Sequence, residues 1–225
     1  MSIELPNTGN IKAAVVVGGH GYDVPGFKAL FDSLEGVDWY LQDIDNWAGS
    51  PVADQYDVFV FYHMVAWGVW SLRPDMQERI DTVNRQIGST DQGWFVWHHA
   101  LLSFPESPAF DRVCNSTDRT LKKPGRFTPR IDMNVHVESR DHPVTAGVED
   151  FAISGEGFLL PACGPDSTVL LTHDHAGNIP SLAWCHQLDR SRVLCWQSGH
   201  DATEWTNPSF KRIFQQGMEW LARRR

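Results

Sequence analysis

Apolar residues fall along the chain in short runs that end abruptly in polar turns, and in the first half these runs alternate with stretches of helical period. Ile11 to Val17 is a β-rich run that stops in Gly18-Gly19-His20-Gly21-Tyr22-Asp23. Pro25 then starts a helix whose apolar positions Phe27, Leu30, Phe31 and Leu34 share one face. Val37 to Gln42 predicts a second strand and Asp57 to Tyr62 a third, which stops at His63. Between them, residues 43–54 carry Pro, Gly and several Asp and read as a surface loop. Ser71 begins a helix with Pro74 in its first turn and Leu72, Met76, Ile80, Val83 and Ile87 at helical spacing. It leads to Trp94-Phe95-Val96-Trp97-His98-His99-Ala100, bounded by Gly93 on one side and Ser103 and Pro105 on the other. An apolar run of that length between turn signals is what a strand covered on both faces looks like. Strands alternating with amphipathic helices predict βαβ units and a parallel sheet with right-handed crossovers.

Past His99 the period changes. A short helix is predicted over Ser107 to Cys114, then a polar stretch containing Lys122-Lys123-Pro124-Gly125. Short strands follow at Asn134 to Glu138, Phe151 to Leu159, Thr168 to Thr172, Leu182 to His186 and Arg192 to Gln197, with no helices between them, as an antiparallel extension requires. Asn207-Pro208 caps a last helix with Phe210, Ile213, Phe214, Gly217, Trp220 and Leu221 on one face. The organisation expected is one domain over 1–225: a parallel α/β part over about 11–115, an antiparallel elaboration over about 128–198 and a closing helix over about 207–223.

Composition narrows the partners. At 225 residues and 42% hydrophobic content the chain can bury a core without metal or disulfide staples. The net charge of -9, with no basic cluster beyond Arg223 to Arg225, argues against nucleic acid and anionic membrane. No charged segment followed by an apolar one opens the chain, and no apolar run approaches the roughly 20 residues that cross a bilayer, so a cytoplasmic protein is expected. Cys114, Cys163, Cys185 and Cys195 are widely spaced and read as free thiols. Aromatic content stands out, with ten Trp, twelve Phe and ten His. Trp47, Trp67, Trp70 and Trp205 could present a ring face to a ligand or belong to the core.

The histidines carry the chemistry. His20, His63 and His98 lie at or just beyond strand ends, and His200 just past the strand Arg192 to Gln197. Parallel strands share one carboxyl edge, where ligands of open α/β sheets collect, so connectivity brings these imidazoles together. Any one of them alone is more simply a loop residue bonded to a carbonyl; their convergence is what points to proton transfer or a divalent metal. His99 should face away from His98, because neighbours leaving a strand alternate. In Ser198-Gly199-His200-Asp201-Ala202-Thr203-Glu204, a carboxylate beside an imidazole could fix its tautomer, and helix capping explains the acids equally well. Glu156 sits between two glycines in an apolar stretch, where a charge is costly unless paired, although Gly-x-Gly also marks an exposed turn. His142 precedes Pro143 and is backbone-restricted. A dinucleotide fingerprint starting at Gly19 would need glycine where Val24 stands, and Asp43 at the second strand's end only partly restores that idea. The turn after Val96-Trp97 carries His98, so neither a Cys-His amidotransferase nor a serine-hydrolase elbow can be built there.

Several of these segments together resemble the ThuA-like (trehalose utilisation) family. They are the strand closing in His98-His99-Ala100, His142-Pro143-Val144-Thr145-Ala146-Gly147, Ser154-Gly155-Glu156-Gly157-Phe158, Pro180-Ser181-Leu182-Ala183-Trp184, and Arg192-Val193-Leu194 leading to Ser198-Gly199-His200. The resemblance implies a class I glutamine-amidotransferase-like fold: a flavodoxin-like, mostly parallel sheet with helices on both faces and an antiparallel extension. It implies histidine, here His98, in place of the amidotransferase cysteine, and points to His20, His98, His142, Glu156 and His200. Two departures, His99 for the usual glycine and Gly155-Glu156-Gly157-Phe158 for the usual Asp-Glu-Leu/Ile-Tyr run, leave the substrate open.

The function expected is therefore action on a disaccharide or its keto-glycoside derivative, with His98, Glu156 and His200 catalytic. His20, Tyr22, His63, Trp67, His142, Asp201 and Trp205 are the substrate-binding candidates. A divalent metal such as zinc, if used, would draw its ligands from His20, His98, His142, Glu156 and His200. The alternative is a non-catalytic sugar or metabolite sensor using the same pocket. The partner expected is a small carbohydrate, with no nucleic acid and no membrane, and a homo-oligomer is left open.

Overall fold

The computed structural model describes residues 3–64, 81–82, 85–105, 107–119, 127–175 and 181–224. Its strands are β1 (Ile11–Val17), β2 (Val37–Asp43), β3 (Val58–Phe61), β4 (Gly93–Trp97), β5 (Phe127–Val137), β6 (Phe151–Phe158), β7 (Thr168–His173), β8 (Ala183–Leu188) and β9 (Ser191–Trp196). The helices are α1 (Val24–Asp32), α2 (Ile44–Ala48), α3 (Pro108–Cys114), α4 (Ala202–Trp205) and α5 (Pro208–Leu221). Most of the helix predicted from Ser71 to Ile87 lies outside the described residues, as do Trp67, Trp70 and the 122–125 stretch.

All nine strands form one sheet in the order β2-β1-β3-β4-β9-β8-β7-β5-β6. The pairs from β2 to β9 are parallel and those from β9 to β6 antiparallel. The sheet is thus mixed, which corrects the expectation of a mostly parallel one. The joint is β9, expected in the antiparallel part, which pairs in parallel with β4 and antiparallel with β8. Its hairpin with β8 turns through two residues, Leu188 facing Ser191, with Asp189 at φ 49. That left-handed position is what a two-residue hairpin needs, but the turn lacks the glycine that would advertise it.

Alternation along the parallel strands loads both faces. Val15, Val60, Phe95 and Leu194 join Phe27 and Phe31 of α1 and Phe210, Ile213 and Phe214 of α5 on one side. Val16, Phe61, Trp94 and Cys195 meet Trp47 of α2 and Phe110 and Val113 of α3 on the other. Helices therefore cover both faces, as expected. Over β5 the burial alternates from Ile131 to Val137, the inner residues continuing the core under α5 and the outer ones facing water.

The surface loop expected over 43–54 is instead α2 and a short 3-10 turn, Ala53–Gln55. Asp43 caps α2 by accepting from the Asn46 N–H at 2.7 Å, and Trp47 is fully buried. Asp43 is thereby committed to the helix rather than to a ribose. Because the extension curls, β6 returns to the carboxyl edge of the parallel strands even though it is last in the sheet order. There the Phe158 N–H donates to the Gln197 Oε1 at 3.2 Å, just beyond β9.

Candidate functional site

Four side chains meet at that edge. His98 follows β4, Glu156 comes from β6, and His200 lies in the loop after β9. Glu156 Oε2 stands 3.4 Å from His98 Nε2, 3.3 Å from His200 Nδ1 and 3.8 Å from His99 Nε2. His98 Nε2 and His200 Nδ1 are 3.3 Å apart. One donor atom from each of the four residues falls within 4.8 Å of all the others. Glu156 is buried within β6, so the paired-charge reading holds and the exposed-turn reading does not.

His98 is fully buried and has φ 52, a left-handed conformation costly for a residue with a Cβ. The backbone therefore leaves the strand at His98 and enters a 3-10 turn, His98–Leu102. This is why His99 does not face away as strand alternation predicts. Both rings turn toward Glu156, with their centroids 3.9 Å apart.

The His98 Nδ1–H donates to the Gln197 carbonyl at 2.7 Å, which fixes the tautomer and leaves Nε2 with a lone pair aimed at the cluster. Phe158 stacks on this ring, centroids 5.0 Å apart. Burial lowers the His98 pKa against the pull of Glu156, so the ring is held neutral. Burial likewise holds His99 neutral, and neither of its ring nitrogens has a hydrogen-bond partner among the described residues. His200 is raised above the ordinary imidazole value, chiefly by its hydrogen bond to Glu156. For Glu156, burial disfavours the charge, but its imidazole neighbours, first the hydrogen bond from His200, outweigh it and lower the carboxyl to about 2.

The lone pair on His98 Nε2 and the Glu156 carboxylate thus converge with the His99 ring and with His200, which donates to Glu156. Such a set could hold a cation, whether a proton or a metal. A tetrahedral zinc with ligands at about 2.0–2.1 Å spaces its donors about 3.3–3.4 Å apart. The Glu156–His98, Glu156–His200 and His98–His200 separations match that spacing, and the Glu156–His99 separation is longer, at 3.8 Å.

The loop carrying His200 is pinned through its backbone. Trp97 Nε1 donates to the Ser198 carbonyl at 2.9 Å, and Trp205 Nε1 to that of Gly199 at 3.0 Å. The Tyr62 hydroxyl donates to the carbonyls of Gly199 and His200 at 3.1 and 3.0 Å. The Gly199 and His200 N–H groups donate to Glu204 Oε2 at 2.9 and 2.6 Å. Gly199 has φ 121, and a Cβ there would lie 2.1 Å from the Trp97 indole nitrogen, so only glycine fits.

Other predicted residues fall at varied distances from this point. His20 is exposed and its ring lies 3.9 Å from that of His99, so it borders the cluster from the solvent side. Tyr22 packs on Phe27 and Tyr62 behind it. His63 shares the strand-end edge, but alternation turns its ring to the α2 and α3 face, between Phe61 and Phe104, away from Glu156. Its imidazole has no partner among the described residues, and burial pushes it down to about 3. His142 is not brought to the cluster. It sits against Cys185 and Trp220, near Arg192 at the opposite end of β9. Asp201 caps α4 through the Thr203 N–H, and Trp205 and Trp47 are core residues, so neither tryptophan presents a face to a sugar. Missed as a site residue was Glu204, although Asp201-Ala202-Thr203-Glu204 has the spacing of a capping box.

The fold and the edge site together define a class. Structural comparison aligns 95% of the chain with 90% of a ThuA-like protein from Parabacteroides merdae ATCC 43184, at a TM-score of 0.67 and 16% identity. A cytoplasmic protein from Salmonella typhimurium LT2 aligns over 94% of this chain and 99% of its own at 0.65 and 11% identity. PurLQS from Thermotoga maritima aligns over 94% and 99% at 0.63 and 15%. At these identities the likeness establishes the α/β fold alone. The ThuA family model, described as trehalose utilisation, matches residues 43–221, and the chain belongs to that family. No curated protein matches the sequence significantly. Among the described residues no helix is long and apolar enough to cross a membrane.

Proposed function

We propose that this chain is a cytoplasmic enzyme acting on a disaccharide or its keto-glycoside derivative at the His98, His99, Glu156 and His200 cluster, with a divalent metal such as zinc held by those four side chains. The observation that carries the reading is the convergence of three imidazoles and one carboxylate within 4.8 Å. Its donor set, nitrogen-rich with one oxygen, suits zinc and other late first-row metals. The family's link to trehalose utilisation supports a sugar as the ligand.

A bound cation would supply Lewis acidity toward a carbonyl or hydroxyl oxygen of the sugar. The protein's own residues do the rest. Gln197 fixes the tautomer of His98. His20, exposed beside the cluster, is placed to exchange a proton with a bound hydroxyl. Phe158 gives the site an apolar wall.

The test is to incubate the protein with keto-disaccharides, with and without zinc, and follow the sugar by NMR. H98A and H200A should each abolish turnover while remaining folded. Unchanged turnover in both variants refutes the assignment. Tight sugar binding with no chemical change on prolonged incubation refutes catalysis and leaves a sugar sensor.

A further inference from the structure

We infer that Glu204 is a positioning residue that sets the spacing between His200 and Glu156. The inference rests on the reading that those two side chains belong to one working site. Glu204 is completely buried within the four-residue helix α4, an expensive place for a carboxylate. The helix would be capped without it, since the Asp201 side chain already takes the Thr203 N–H at 2.8 Å. Glu204 instead reaches back past the cap, and its Oε2 accepts from the Gly199 and His200 N–H groups. Burial raises the Glu204 carboxyl to about 7 against these two bonds, which favour its charged form.

The same carboxylate touches the other side of the site. A Cβ built on Gly155 would lie 2.4 Å from the Glu204 Cδ and Oε1 and 2.7 Å from Oε2, so the β6 backbone lies directly against it. Gly155 precedes Glu156, and His200 bears one of the bonds. Glu204 is therefore wedged between the two segments whose side chains meet at 3.3 Å. Its second oxygen has no partner among the described residues, so capping alone does not account for the burial. An ordinary capping glutamate would reach only the N-cap N–H and would leave β6 alone.

The experiment measures zinc affinity by chelator competition for wild type, E204A, E204D, E204Q and H200A, at a temperature where each is folded by circular dichroism. E204D retains the carboxyl group but withdraws it from both N–H groups, and it serves if E204A does not fold. E204A and E204D should bind zinc about 10–100-fold more weakly, the usual effect of losing a group that orients a ligand. E204Q, which keeps an oxygen for both N–H groups, should stay closer to wild type. A merely structural Glu204 would change thermal stability without changing affinity in the folded protein. If H200A weakens zinc binding but folded E204A or E204D binds as wild type does, the inference is overturned and the site reading stands. If wild type takes up no zinc, or H200A binds it undiminished, both fall.

Discussion

Substituting Gly155 with alanine tests the packing around Glu204 from the opposite side without altering any polar group. The added methyl would sit 2.4 Å from the Glu204 Cδ and Oε1. Carbon contacts become favourable only near 3.5–4.0 Å, so one side must yield by about 1 Å. Crowding of this kind in a packed interior costs about 1–3 kcal/mol. Gly155 has no left-handed backbone to preserve, so alanine should return about 0.5–1 kcal/mol by restricting the unfolded chain. The difference is a net loss of roughly 0–2.5 kcal/mol. Urea denaturation should show a lower midpoint at unchanged slope, and zinc affinity should fall with it as His200 is displaced. A variant as stable as wild type, with the same zinc affinity, would mean that Glu204 does not lie against β6.

Two further outcomes follow from the electrostatics and the caps. His63 is buried neutral at about 3, against an ordinary 6.5, so below pH 6.5 the unfolded chain binds the extra proton. Its contribution is complete above pH 6.5 and is lost as pH falls toward 3, with a limiting slope of about 1.4 kcal/mol per pH unit. Denaturation of H63F between pH 7 and 4.5 should give a shallower loss than wild type, and parallel curves would contradict the burial argument. D201A should cost about 1 kcal/mol through the lost cap of α4, and D201N should recover it. Loss of sugar binding in a stable D201N would make Asp201 a ligand contact instead.

The alternation of strand and helix was legible because it depends only on local period, and it placed His20, His63 and His98 at one edge, whereas His200 followed a strand expected to be antiparallel. Ring direction was not legible in the same way. His63 obeys strand alternation and turns into the core, whereas His99 escapes it because the positive φ of His98 ends the strand one residue early. Nothing in the residue types announces that angle. The role of β9 as fifth parallel strand is a long-range pairing with β4, and its local pattern fits an antiparallel strand equally well. α2 was hidden by glycine, proline and aspartates, although Asp43 ahead of Trp47 is a usable cap signal. Glu156 could be flagged as a costly charge, yet its partners arrive only through the curl of the extension. His142, suggested by resemblance and by its proline, is held by Cys185 and Trp220 far from that curl.

Convergence of His98, His99, Glu156 and His200 on one cation is tested most directly by anomalous diffraction at the zinc edge from crystals grown with zinc. The account predicts one dominant peak about 2.0–2.2 Å from the two Nε2 atoms, the His200 Nδ1 and the Glu156 carboxylate. No peak between those four atoms, or a dominant one ligated elsewhere, would contradict it.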